Sequence, residues 1–284
     1  MRIALAANTA SGGGLDPDPL VEAMRRHGAE VDVFGCETEE LERAAASEPD
    51  RIAVAGGDGT IGSAADVASR IEVPLAVIPT GTANDYARAN GLPDDPLEAA
   101  EVAATCEATR RLELGRLADG RPFVNVASAG LASKAARYAS PFKRVLGPLA
   151  YGVGAARAAA FESPLKCSLR VDGELAYAGG AWQVIVAVTG AFGGGSDVGV
   201  ADPRDGILDV AVLPAGSRLA LARRAWGLRR GTIAEQKPVE HYRGHVMELE
   251  MRGDQELNVD GEIREGGLER VTVEPDAYTL IVPA

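Results

Sequence analysis

Five consecutive residues, Gly56-Gly57-Asp58-Gly59-Thr60, carry the strongest chemical signal in the chain. Three glycines in five positions cost about 1.5–3 kcal/mol of backbone entropy relative to alanine, more than an ordinary turn requires. An apolar run at 52–55 precedes the stretch and a helical pattern follows it. That order points backbone N–H groups and a helix dipole at an anion. Asp58 would repel a bare phosphate, and the conflict disappears if its carboxylate binds magnesium or takes a proton from an incoming hydroxyl. Two further polar loops follow apolar runs: residues 8–14, with Ser11 and several glycines, and Pro79-Thr80-Gly81-Thr82-Ala83-Asn84-Asp85-Tyr86-Ala87-Arg88. Ligands of open parallel sheets bind beyond the carboxyl ends of the strands, so the three loops compose one phosphate site.

Other chemistries fit less well. Gly57, Gly59 and Gly62 satisfy G-x-G-x-x-G, the dinucleotide fingerprint. It does not follow the first strand, however, and the next run, 73–78, ends in Pro79-Thr80 where a ribose-binding carboxylate belongs. There is no G-x-x-x-x-G-K-[ST], protein-kinase signature, G-x-S-x-G or H-E-x-x-H. His27, His241 and His245 are scattered and read as surface or packing residues.

The elements that must position these loops change character along the chain. Short apolar runs at 3–7, 31–34, 52–55 and 73–78 alternate with helical patterns after Asp16-Pro17, at 39–46, after Thr60 and at 83–89. Such alternation means a mainly parallel, doubly wound sheet covered on both faces. From about residue 116 short β runs take over, at 123–126, 168–171, 182–188, 207–213, 246–251 and 270–273. Several are separated by Asp-Gly or Gly-rich turns, the hairpin signature. Helical stretches at 133–161 and 218–230 interrupt them. We therefore expect an α/β domain over 1–115 and an antiparallel β-rich domain over 116–276, with 277–284 free to return to the first.

Composition narrows the function. Hydrophobic residues make up 46% and charged residues 25% of 284 positions, an ordinary globular balance that excludes wholesale disorder. A net charge of −12 argues against nucleic acid as a partner, which needs a basic footprint. Cys36, Cys106 and Cys167 are odd in number and far apart, as reduced thiols of a cytoplasmic protein are. The N-terminal apolar run reaches Asn8 before a signal peptide could form, and no stretch is long enough to span a bilayer. Charge is nevertheless uneven. Residues 120–161 and 210–234 hold no acid, and Arg121, Lys134, Arg137, Arg157, Arg218 and Arg223 are among their cations. Basic residues near an anionic surface contribute about 1 kcal/mol each, so 133–161 or 218–230 is expected to touch the inner face of a membrane peripherally. A solvated helix face balanced by acids elsewhere in the fold is the competing explanation.

These motifs resemble the catalytic domain of the diacylglycerol kinase family, which takes in bacterial soluble lipid kinases, sphingosine kinases and, more distantly, NAD kinases. The pieces that match are Gly56-Gly57-Asp58-Gly59-Thr60, the 79–88 loop, residues 8–12, Phe123-Val124-Asn125-Val126-Ala127-Ser128-Ala129-Gly130, residues 193–210 and Val259-Asp260-Gly261-Glu262. The resemblance implies ATP bound in the cleft between an α/β domain and a β-sandwich domain, with transfer of the γ-phosphate to a hydroxyl of a diacylglycerol-like or other amphiphilic lipid. It assigns Asn8, Ser11, Gly12, Gly56, Gly57, Gly59, Thr60, Thr80, Gly81, Thr82 and Asn84 to the nucleotide, with Arg88 helping to neutralise phosphate charge. It places Asp58 and Asp85 in a magnesium and proton-handling network faced by Glu262. Asp202, Asp205 and the Ile207 carbonyl fall where bacterial members hold a structural magnesium, an oxygen site suited to a hard cation.

The chain departs from the family pattern in three places. Asn8-Thr9 stands where Asn-Pro is usual, no basic residue directly follows Ser11-Gly12, and Glu113 stands where members often carry Asp. Glu113 is therefore left out of the expected site. Val171-Asp172-Gly173-Glu174 repeats the letters of Val259-Asp260-Gly261-Glu262, and either could be a plain Asp-Gly hairpin. Only the resemblance selects Glu262 over Glu174. The chemistry expected is in-line phosphoryl transfer, in which positioning and charge neutralisation supply most of the acceleration. Asp58 ranks first and Glu262 second as acceptor of the hydroxyl proton. An NAD kinase-like activity on a soluble dinucleotide, or a non-catalytic lipid or nucleotide sensor on the same fold, are the alternatives.

Overall fold

The computed structural model describes residues 1–8, 16–139, 154, 157–158, 161–192, 196–197, 201–218, 239–252, 256–265 and 268–283. Four short strands open the chain: β1 (Arg2–Ala7), β2 (Glu30–Phe34), β3 (Arg51–Gly56) and β4 (Leu75–Pro79). They pair in parallel in the order β4-β3-β1-β2. Ile3 to Ala7 and Ile52 to Ala55 are buried on both sides, so helices must cover both faces. Helices α1 (Asp18–Arg26) and α5 (Pro96–Thr105) pack Leu20, Met24, Ala99 and Ala103 against Ile3, Leu5 and Ile78. On the opposite face α2 (Thr38–Ala46) and α3 (Asp58–Arg70) bring Leu41, Ile61 and Ala65 to Ile52, Val54 and Leu75. Helix α5 starts at Asp95-Pro96, an N-cap followed by proline in the first turn. The Asp95 carboxylate caps the helix by accepting the Leu97 and Glu98 N–H groups at 2.8 and 3.0 Å.

The second half is built of β6 (Pro122–Phe123), β7 (Val126–Gly130), β8 (Leu165–Val171), β9 (Glu174–Ala187), β12 (Leu208–Pro214), β13 (Glu240–Gly244), β14 (Val246–Met251), β15 (Glu256–Val259) and β16 (Glu262–Glu265). All their pairings with one another are antiparallel. Ala127, Leu169, Val184, Val186, Val210, Leu249 and Val259 form its separate core. A small hairpin, β10 (Ala191–Phe192) and β11 (Ser196–Asp197), stands apart from the main sheet. Helix α4 (Asp85–Ala89) follows the third polar loop, and α6 (Leu131–Ala139) follows β7.

One long strand pair carries both halves. β5 (Thr109–Leu117) runs antiparallel to β17 (Val271–Ile281), with a bulge between Glu274 and Tyr278. β17 also pairs with β14 and, at Leu280, in parallel with β4. Tyr278, Leu280 and Val282 are buried in the same cluster as Val54 and Leu75. The boundaries expected at 115 and 276 therefore fall inside β5 and β17, and the chain end lies in the first half.

Two local expectations shift. The helix expected over 83–89 begins at Asp85, because Asn84 takes a left-handed conformation (φ 50°). The helical stretch expected from Ser133 begins at Leu131 as α6, and most of 133–161 and nearly all of 218–230 lie outside the described residues. The cations of α6 are not free. Arg137 pairs with Glu256 at 3.1 Å and Lys134 with the same carboxylate at 3.7 Å. Among the described residues no helix is long and apolar enough to cross a membrane.

Candidate active site

Strands β1, β3 and β4 end side by side, which brings Asn8 and the loops after β3 and β4 to one edge. The Asn8 N–H donates to the Ala55 carbonyl at 3.1 Å and the Thr80 N–H to the Gly56 carbonyl at 3.0 Å. Gly57 is the last extended residue before α3, and Asp58 opens the helix. Thr60 closes the turn by donating both its N–H (3.0 Å) and its hydroxyl (2.8 Å) to the Gly57 carbonyl. The second glycine loop lies directly on the first, since a Cβ on Gly81 would sit 2.7 Å from the Gly57 Cα. Asn84 shapes that loop by accepting the Gly81 N–H at 2.9 Å. Ser11 and Gly12 lie outside the described residues.

Two glycines of the 57–62 pattern, Gly59 and Gly62, have a visible steric task. A Cβ on Gly57 would make only an ordinary 3.5 Å contact with Gly81, whereas a Cβ on Gly59 would overlap the Glu262 carboxylate. Gly62 lets α3 approach β6, with the Pro122 carbonyl 3.1 Å from where a Cβ would stand. Close approach to backbone and to a carboxylate, not a dinucleotide fingerprint, accounts for Gly59 and Gly62.

Of the three expected acids, Asp58 and Asp85 are in contact through the Asp85 N–H, and Glu262 lies against Gly59. Asp58 accepts the Tyr86 N–H at 2.8 Å, the Asp85 N–H at 3.2 Å and the Asn125 side-chain amide at 3.3 Å. It thus caps α4 and ties the second loop to the first. Burial pushes its carboxyl above the ordinary range, the Tyr86 and Asp85 N–H groups oppose that, and the Asp85 charge adds to it. An ionised carboxylate offers about four acceptor positions, and three of them on Asp58 are already used. Asp85 is buried and paired with Arg88 at 2.9 Å. Arg88 also donates to the Ala83 carbonyl at 2.7 Å, so it braces the loop from which it was expected to face phosphate. Thr82 is exposed. Glu262 starts β16 opposite the first turn of α3, with its side chain 44% exposed and paired with Arg264.

A polar cleft of about 270 Å³ opens beside this cluster, between α2, α3 and the β15–β16 hairpin. Thr38, Gly59, Ser63, Arg121, Asp260 and Glu262 line it.

Asp260 and Asn125 join the site without having been expected there. Asp260 is buried and accepts the N–H groups of Val124, Asn125 and Val126 at 2.8, 2.9 and 3.0 Å. Burial pushes its carboxyl up to about 7 against the pull of those donors, and the Asp58 charge pushes the same way. The two Val-Asp-Gly-Glu turns are now distinguishable. Both have positive φ at Asp and Gly, the type I′ geometry. Glu262 reaches Gly59, whereas Glu174 is exposed and its turn grips His245 and Val246 through Asp172.

Asp202, Asp205 and Ile207 are not part of this cluster. They precede β12 and face β5, where the Glu113 N–H donates to the Pro203 carbonyl at 3.0 Å and Glu113 Oε2 accepts the Gly206 N–H at 2.7 Å. Burial pushes the Glu113 carboxyl up to about 8, helped by the charges of Asp205, Asp202 and Asp209. Tyr86 and Tyr278 form a buried hydroxyl pair (2.7 Å), and burial, with the Asp260 and Glu113 charges adding to it, pushes the Tyr278 hydroxyl well above its ordinary range. Asp202 is held by Arg204 and Asp205 by Arg243, so among the described residues no three ligating side chains are preassembled. The donors still suit a hard cation: they are oxygens, and Glu113 Oε1 and Asp209 Oδ2 are buried without a hydrogen bond.

Comparison with known proteins covers the whole chain. Residues 2–117 match the family model of the diacylglycerol kinase catalytic domain, and residues 125–282 match that of the YegS C-terminal NAD kinase beta sandwich-like domain. The Pseudomonas aeruginosa protein named "Probable lipid kinase YegS-like" is 30% identical over 299 residues, covering 100% of this chain and 95% of its own. The diacylglycerol kinase of Bacillus subtilis is 30% identical over 233 residues, 80% of this chain and 76% of its own. A crystal structure of a diacylglycerol kinase from Bacillus anthracis superposes with a TM-score of 0.76 at 22% identity, covering 99% of this chain and 97% of that one. An NAD kinase from Archaeoglobus fulgidus in complex with ATP superposes with a TM-score of 0.54 at 17% identity, covering 99% and 93%. Both structural likenesses speak to the fold, an α/β domain followed by a β-sandwich-like domain.

Proposed function

The chain belongs to the diacylglycerol kinase catalytic-domain family, a family of lipid kinases, and from that premise we propose that it transfers the γ-phosphoryl group of ATP to a hydroxyl of a diacylglycerol-like or other amphiphilic lipid. The observation that carries the proposal is the meeting, at one strand edge, of the Gly57–Gly59 turn, the Gly81 loop and the Glu262 carboxylate. The first turn of α3 presents the positive end of its dipole to the phosphates. Asn8, Thr60 and Thr80 belong to the three turns around them. The nucleoside occupies the cleft lined by Thr38 and Ser63. Magnesium, when bound with the nucleotide, neutralises phosphate charge, and Asp58 and Asp85 are the acids at hand for it.

The step itself is a displacement at phosphorus. The lipid oxygen forms a bond to the γ-phosphorus, the bond to the β,γ-bridging oxygen breaks, and ADP leaves. In this reading Glu262 takes the hydroxyl proton and Asp58 holds the two loops together, the reverse of the order expected from the motifs. Support for the reversal lies in the three donors already on Asp58, against Glu262 at the mouth of the cleft. A basic approach to a bilayer-borne acceptor through 133–161 or 218–230 belongs to the same proposal.

An acceptor panel tests the function. With ATP and magnesium, diacylglycerol, sphingoid bases, ceramide and NAD are offered in turn and the products separated by chromatography. Phosphorylation of an amphiphilic alcohol is expected. Phosphorylation of NAD alone, or of nothing, would overturn the proposal.

Two smaller expectations arise from the site. Gly59→Ala should hold the melting temperature, because alanine is the better helix former and only the Glu262 side chain has to move. Displacing that carboxylate by about 1 Å should lower turnover by about a hundredfold. Kinetics within threefold of wild type would show that Glu262 does not act from this position. The second concerns Asp202, Asp205 and the Ile207 carbonyl, with Glu113 beside them, as a holder of structural magnesium. Chelator-treated protein should melt higher when magnesium is restored, and Glu113→Gln should shrink the shift. A melting temperature indifferent to magnesium in both proteins would remove the site.

A further inference from the structure

The proton acceptor and the loops do not explain why Asn125, a residue of the second half, is buried against Asp58. Asn125 sits at the break between β6 and β7 and is 2% exposed. Every polar group of the residue is committed. Its N–H goes to Asp260 at 2.9 Å and its carbonyl accepts the Val188 N–H at 2.9 Å. Its side-chain oxygen accepts the Thr189 hydroxyl at 2.6 Å, which leaves the NH₂ to donate to Asp58 Oδ1 at 3.3 Å. The amide orientation follows from its neighbours, because an ionised carboxylate can only accept.

We propose that Asn125 is a positioning residue that locks the Asp58 carboxylate from the second domain, and that Asp260 exists to hold Asn125 in place. Three consecutive N–H groups can converge on one carboxylate only where the chain bends, and Asp260 supplies that carboxylate to Val124, Asn125 and Val126. The repeated turn at 171–174 isolates what is particular here. Asp172 uses the same grip on His245 and Val246, but no side chain there reaches an acid of the site. The second domain thereby fixes the acid that caps α4 and ties the Gly81 loop to the Gly57 turn. This inference rests on the phosphoryl-transfer reading for its kinetic test and on geometry alone for its thermal one.

The test is a double-mutant cycle of Asn125→Ala and Asp58→Asn in the full chain. Loss of a hydrogen bond to a charged group predicts a fall of about 10- to 100-fold in kcat for Asn125→Ala, with KM for ATP within about twofold. In the Asp58→Asn background the same change should cost less than about twofold more, because Asn125 acts through Asp58. A purely structural role would lower melting temperature without that split. Equal losses in both backgrounds, or an Asn125→Ala enzyme as fast as wild type, would overturn the inference while leaving the lipid kinase reading intact. Absence of turnover in wild type would strike that reading instead, and the melting temperatures of the same four proteins then decide. Non-additive shifts are expected, and shifts that add would overturn the coupling. Thr189→Val should reproduce a weaker form of the Asn125→Ala phenotype, and no change in kcat there would also count against it.

Discussion

Glu262→Gln should reduce turnover by about 10²- to 10⁴-fold, the range for loss of general-base help, with little change in stability. Glutamine keeps the shape of the side chain against Gly59 but cannot take the acceptor's proton. The glutamate side chain is 44% exposed and its partner Arg264 is equally open to solvent at 43%. Such pairs contribute about 0–1 kcal/mol, so melting should hardly move. Glu174→Gln is the internal control, since it lies in a turn of the same four letters and faces solvent. Steady-state kinetics and thermal melts of the two variants check both statements. A Glu262→Gln enzyme within tenfold of wild type would remove Glu262 from proton transfer.

Asp58→Asn should lose at least about a hundredfold in turnover and, unlike Glu262→Gln, melt lower by several degrees. Its carboxylate accepts from Tyr86, Asp85 and Asn125. An asparagine has one acceptor oxygen, so its NH₂ must face one of those donors. Leaving a buried donor without a partner costs about 1–3 kcal/mol, and about 1 kcal/mol shifts melting by roughly 2–4 °C for a chain of this size. The pair of variants thus separates a residue that acts on the substrate from one that holds the loops. Equal melting of Asp58→Asn and wild type would contradict the capping role.

How far the letters alone reached follows from where each interaction lies. The Gly56–Thr60 and Thr80–Asn84 turns announce themselves through glycines and short polar residues next to apolar runs, and the parallel sheet brings them together. The order of the acids was not legible. What binds Asp58 is main-chain N–H of Asp85 and Tyr86, and backbone donors leave no mark in a sequence. Asn125 stayed hidden for a related reason, because its contacts join residues 58, 125, 189 and 260. The twin Val-Asp-Gly-Glu turns show the same limit, having identical local chemistry and different neighbours. β17 was read only in part, as 270–273, since the bulge at Pro275-Asp276 interrupts its alternation and its pairing with β5 is long-range. Glu113 was set aside on family pattern. Its surroundings, supplied by the segment before β12, bury it beside Asp202, Asp205 and the equally buried Asp209.

The central claim is that strand-end turns grip a triphosphate and aim its terminal phosphorus at Glu262. A crystal structure of the protein with magnesium and a non-hydrolysable ATP analogue tests it most directly. The triphosphate should lie between the Gly57–Gly59 turn and the 80–84 loop, its γ-phosphate toward Glu262 and its base in the cleft beside Thr38 and Ser63. Nucleotide bound at another face, or its phosphates turned away from the first turn of α3, would contradict the claim.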